Sequence, residues 1–131
     1  MAKAVVSVGS NVAPEKNVPE ARRRIAAAVR ILSESAWTKT EPLGPEGRID
    51  RRQPEFLNGV LMVETNLSRS GLEKKLKGIE NEMGRVRTKN KFTARIIDLD
   101  VVVWDGKIVN QDIHDRGFLK KAVEEVWPGL L

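Results

Sequence analysis

The chain has 131 residues, 40% of them hydrophobic and 31% charged, which suits one domain with a single core and is too short for two. It contains no cysteine, so disulfides, thiolate catalysis and cysteine-held zinc are excluded, and no apolar run approaches the roughly 18 residues of a membrane span. A net charge of +5 suits an anionic ligand, a nucleotide or a nucleic acid. Met1-Ala2-Lys3 leads directly into a strand-like segment with no secretion signal, so the expectation is a cytoplasmic protein with residues 1–131 forming one domain.

Ala4 to Val8 (AVVSV) reads as a strand closed by the turn Gly9-Ser10-Asn11. Next, Val18, Ala21, Ile25, Ala28, Val29 and Leu32 share one helical face, with Asn17 as N-cap and Pro19 in the first turn. The arginines Arg22, Arg23, Arg24 and Arg30 mostly point away and read as a solvated surface. Ala36 to Thr40 predicts a second strand. Glu41 to Gln53 carries two prolines, two glycines and three arginines without periodicity, the character of a long loop that serves as a lid or binding segment.

Leu57 to Thr65 (LNGVLMVET) is nearly all apolar and predicts a central strand. Its early polar interruption, Asn58, either caps the strand or offers its amide to a heterocycle edge. Arg69 to Met83 predicts a helix capped by Ser68 or Ser70, with Leu72, Leu76, Ile79 and Met83 on one stripe, Glu80 beside it and Gly84 at its end. Ile96 to Trp104 has the β-branched content of a buried strand, Asp105-Gly106 is a hairpin turn, Lys107 to Val109 returns, and Phe118 to Val126 predicts a short helix. This order predicts an α+β fold: a ferredoxin-like antiparallel sheet with helices on one face, plus a C-terminal hairpin and short helix.

The chemistry concentrates in Gly84 to Trp104, where Arg85, Arg87, Lys89, Lys91 and Arg95 precede Asp98 and Asp100. Residues two apart on a strand share a face, about 7 Å from one another. Two carboxylates so placed on an apolar strand call for a cation. One candidate is a protein group such as Arg95, three residues away. The other is Mg²⁺, which prefers oxygen ligands and takes one or two carboxylates plus substrate phosphates. The upstream cations favour magnesium, because carboxylate, metal, polyphosphate and arginine form the order of charges used in phosphoryl transfer.

Several segments resemble, in order, those of the 6-hydroxymethyl-7,8-dihydropterin pyrophosphokinase family. These are Gly9-Ser10-Asn11, Glu41-Pro42-Leu43-Gly44-Pro45, Phe56-Leu57-Asn58, Ile79-Glu80, Gly84-Arg85-Val86-Arg87, Arg95 to Asp100 and Arg116-Gly117-Phe118. The resemblance implies transfer of the terminal diphosphate of ATP to a pterin alcohol in folate biosynthesis, with ATP as co-substrate and two Mg²⁺ ions on Asp98 and Asp100. It further implies that Arg85, Arg87 and Arg95 engage the phosphates in catalysis and that Arg116 is another phosphate contact. Glu80 then lies near the nucleoside. Phe56 and Phe118 sandwich the pterin, Asn58 reads its edge, and main chain around Thr40 and Leu43 assists. Small-molecule substrates and a monomer, with no nucleic acid or membrane partner, follow from the same resemblance.

The chain departs from the family in two places: Thr93-Ala94 stands where relatives have Gly-Pro, and the segment between Asn110 and Arg116 is shortened. His114, the sole histidine, either stands in for the nucleotide contacts of that segment or is an inert surface group. Two other readings stay open: a divergent relative that binds pterin or nucleotide with altered transfer, and a basic RNA-binding ferredoxin-like module. Only six aromatic residues are present and none forms an RNP1-like pattern, which counts against the RNA-binding module.

Overall fold

The computed structural model describes residues 1–41, 54–84 and 96–131. Their centre is β1 (Ala2–Ser10), which alternates between two apolar layers: Ala4, Val6 and Val8 enter one, and Val5 enters the other. A strand buried on both sides must be apolar at consecutive positions, and AVVSV meets that demand. β1 pairs antiparallel with β4 (Phe56–Thr65) from Ala2↔Thr65 to Ser10↔Leu57 without a slip. On its other side it pairs with β5 (Asp98–Trp104). The six-stranded sheet is completed by β2 (Arg30–Glu34) and β3 (Thr38–Thr40), both on β4, and by β6 (Lys107–Ile108) on β5.

Helices α1 (Pro14–Ala28) and α2 (Arg69–Glu82) cover one face, as the ferredoxin-like plan predicts. Val18, Ala21 and Ile25 of α1 and Leu72, Leu76 and Ile79 of α2 pack on Val6, Val8, Leu61, Val63, Leu99 and Val101. The C-terminal part builds a second layer on the opposite face, a placement that the order of elements did not specify. There a single turn, α3 (Asp112–Asp115), leads into α4 (Gly117–Val126), and Ile113, Leu119, Ala122, Val123 and Val126 pack on Val5, Val60, Val102 and Val103. The β1–β5 register slips between Val5 and Val6, with Val5 opposite Val103 and Val6 opposite Val101. Val102 is the extra residue, so two consecutive valines serve the α4 layer.

Local signals explain most of the boundaries. Ser68 Oγ accepts from Gly71 N at 3.1 Å at the start of α2, and Gly84 leaves it at φ 87°. Asp105 and Gly106 both have positive φ, 50° and 87°, as a two-residue hairpin turn requires. α1 differs from expectation. It starts at Pro14, so Asn17 lies inside it and donates from Nδ2 to Val12 O at 2.6 Å in place of capping. It also stops at Ala28, because Arg30–Glu34 alternates exposed and half-buried and joins β4 as an edge strand. Leu32, counted in the helical stripe, is exposed on that strand.

Among the described residues no helix is long and apolar enough to cross a membrane. Leu61 is fully buried between β1 and the α1–α2 layer. Leu61→Ala should lower unfolding free energy by about 2–5 kcal/mol in denaturant titrations. A loss below about 1 kcal/mol would mean that this layer is not the packed core described.

Candidate active site

The alternation of β5 sorts its residues by chemistry. Ile97, Leu99 and Val101 enter the α1–α2 layer, so Asp98 and Asp100 project from the other face. The register sets Asp98 opposite Gly9 and Asp100 opposite Ser7 on β1. Gly9 in turn lies opposite Asn58 of β4, and Asn58 opposite Thr38 of β3. Paired residues point to the same side of a sheet, so Asp98, Gly9, Asn58 and Thr38 form one row across four strands. Strand spacing puts the backbones of Asp98 and Asn58 roughly 10 Å apart.

Gly9 is what allows the row to close. A Cβ at that position would sit 2.7 Å from Asn58 Oδ1, so the amide lies over the space that a side chain would occupy. Asn58 Nδ2 donates to Thr40 Oγ1 at 2.5 Å, which turns the amide and fixes its acceptor end toward Gly9. Phe56 lies on this same face, opposite Thr40 and one row further along. Phe118, at the start of α4, packs half-buried on the layer that covers the face. Glu125 Oε2 accepts from Ala36 N at 2.7 Å and ties α4 to the β2–β3 connection.

Among the described residues, no strand pairs with the other side of β5 at the carboxylates, since β6 meets only Val103 and Trp104. Side chains of α2 take the place of a neighbouring strand. Glu80, fully buried, accepts from Leu99 N through Oε2 at 2.7 Å. Lys77 Nζ donates to Leu99 O at 3.0 Å, reaches Asp100 Oδ1 at 3.3 Å and lies 3.5 Å from Glu80 Oε1. Thus the residue between the two aspartates is held at both its N–H and its C=O. Burial raises the Asp100 carboxyl above its ordinary pKa, and the neighbouring Asp98 charge raises it further; the Lys77 ammonium pulls the other way. Asp98 and Asp100 therefore repel one another across the same face, as the sequence spacing implies.

This donor set fits magnesium. The described residues hold no group of three or more acidic or histidine ligands that could form a closed metal cage. Two oxygen ligands on an accessible face match an ion that keeps waters and takes its remaining ligands from phosphates.

The remaining predicted residues fall into two sets. Arg116 is exposed at the N-cap of α4, and His114 is exposed on the single turn α3, close in sequence to Phe118. Leu43, Arg85, Arg87 and Arg95 lie outside the described residues, as do most of the long loop and Thr93-Ala94. Two contributors escaped the sequence reading. Lys77 drew no reading, although its i, i+3 spacing to Glu80 is visible in the sequence; Gly9 reads as part of a turn.

Residues 5–128 match the family described as 7,8-dihydro-6-hydroxymethylpterin-pyrophosphokinase. The chain belongs to this pyrophosphokinase family. It is 32% identical over 137 aligned positions to a 2-amino-4-hydroxy-6-hydroxymethyldihydropteridine pyrophosphokinase of Haemophilus influenzae, covering 96% of the chain and 82% of that relative. A protein of the same name from Methylorubrum extorquens is 29% identical, with 100% of the chain and 86% of the relative covered. The Pseudomonas aeruginosa pyrophosphokinase is 33% identical over 80% of the chain and 63% of its own length.

The Gly9–Asn58 contact yields a test. Gly9→Ala forces the Asn58 amide aside, and affinity for the family's dihydropterin, measured calorimetrically, should fall about tenfold, the effect of one lost hydrogen bond. Unchanged affinity would remove Asn58 from the binding role.

Proposed function

We propose that the chain transfers the terminal diphosphate of ATP to the hydroxymethyl group of 6-hydroxymethyl-7,8-dihydropterin, in folate biosynthesis, with Asp98 and Asp100 holding two magnesium ions. Family membership supports the reaction class. The observation that carries the residue assignment is the row Asp98–Gly9–Asn58 on one sheet face. It offers a carboxylate pair at one end and a heterocycle-reading amide at the other, with a side-chain-free floor between.

In the reaction the pterin alcohol oxygen forms a bond to the β-phosphorus as the bond from that phosphorus to the α-phosphate bridging oxygen breaks. AMP departs with the electron pair, and the alcohol proton passes to solvent. Bound at the two aspartates, magnesium supplies charge neutralisation on the triphosphate. The protein's own work is positioning. Asn58, oriented by Thr40, reads the pterin edge, and Phe56 and Phe118 offer π faces from the strand and from α4. Arg85, Arg87, Arg95 and Arg116 meet phosphate oxygens, a task for which the guanidinium fork is well shaped. Glu80 acts through β5: by holding Leu99 N–H it sets the twist that aims both aspartates, and it borders the nucleoside end together with His114. Every assigned side chain comes from one chain, so a monomer suffices, and a cytoplasmic setting supplies both substrates.

Purified protein with ATP and Mg²⁺ should form AMP only when the dihydropterin is added. Asp98→Ala or Asp100→Ala should cut that rate by about 10²-fold to 10³-fold while circular dichroism still reports a folded protein. ADP as the product, or wild-type rates in either variant at saturating Mg²⁺, would refute the assignment.

A further inference from the structure

Lys77 has a place in this site that the proposed reaction does not yet use. Its ammonium contacts three acceptors beside β5: Leu99 O at 3.0 Å, Asp100 Oδ1 at 3.3 Å and Glu80 Oε1 at 3.5 Å. Its side chain is 39% exposed, as is that of Asp100, whereas Glu80 is fully buried. We propose that Lys77 is a counter-ion of Asp100 that gives way when metal binds. When divalent cations occupy Asp98 and Asp100, it moves its charge onto a phosphate oxygen of the nucleotide. The inference rests on the reading of Asp98 and Asp100 as metal carboxylates.

The charges argue for both halves of this exchange. Lys77 stands between two carboxyl groups, 3.3 Å from Asp100 Oδ1 and 3.5 Å from Glu80 Oε1, and its ammonium offsets part of their charge. A divalent cation that shares Asp100 repels the ammonium at short range, so the Lys77–Asp100 contact is the one that must yield. The other two contacts need not break. Leu99 O and Glu80 hold the ammonium at the strand edge, and the flexible lysine stem lets it pivot about them, away from Asp100 and toward solvent. There the charge stands beside the metal-bound triphosphate, where lysine acts as a point-charge phosphate ligand. The same residue therefore opposes metal binding in the empty site and supports nucleotide binding in the filled one.

Opposite signs in two measurements make the test. Lys77→Met keeps the apolar stem and removes the charge. Mn²⁺ affinity of the nucleotide-free variant, read from the electron paramagnetic resonance of free Mn²⁺, should tighten about threefold to fivefold. Affinity for the magnesium complex of a non-hydrolysable ATP analogue, read by calorimetry, should weaken by about the same factor or more. Lys77→Arg, which keeps the charge, should stay near wild type in the Mn²⁺ measurement. If Lys77→Met matches wild type in both, or weakens both, the exchange is wrong while the metal site stands. Asp98→Asn separates the two ideas: if wild type and Asp98→Asn bind Mn²⁺ alike, the carboxylate reading and the exchange fall together.

Discussion

Two carboxylates on one face of β5 are the constraint around which this molecule is arranged. Asp98 and Asp100 cannot be relaxed by turning away from each other, because Leu99 between them is fixed on both sides. Its side chain enters the α1–α2 core, and its N–H and C=O are bound by Glu80 and Lys77. Letting the strand twist would expose Leu99 and strip its backbone partners, each worth about 1 kcal/mol or more when buried. The two carboxyl groups are therefore held side by side, which is the ground for the cation site proposed above.

The two layers of the sheet divide the labour. The face under α1 and α2 is a continuous apolar core, and its only task is to keep β1, β4 and β5 in register. The other face is apolar beneath α4 and turns polar along β1 from Val5 to Ser7 and Gly9. That change of character marks the border between structure and site. On that face α4 packs Leu119, Ala122, Val123 and Val126 over Val5, Val60, Val102 and Val103, with Phe118 half-buried against the same cluster.

Much of this was legible from residue chemistry. The alternating aspartates, the Asp105-Gly106 turn, the Ser68 cap and the Gly84 stop are local signals, and each is settled by a few atoms near it. What escaped depends on distant partners. Leu32 continues the helical spacing of Ala28 and Val29, and only pairing with β4 makes Arg30–Glu34 a strand. The side of the sheet that α4 covers follows from Val102 and Val103 facing one layer, which a one-residue slip against β1 creates and which no local pattern announces. Lys77 shows the same limit: its contacts are with β5, twenty-odd residues away. Glu80 was singled out by resemblance, but that it braces β5 from complete burial is a fact of packing.

Anomalous scattering from a crystal grown with Mn²⁺ and a non-hydrolysable ATP analogue addresses the central claim most directly. The account predicts manganese peaks within coordination distance of the Oδ atoms of Asp98 and Asp100, on the sheet face that carries Asn58, with the Lys77 ammonium off Asp100 and toward phosphate. Manganese bound elsewhere, with Lys77 still on Asp100, would contradict it.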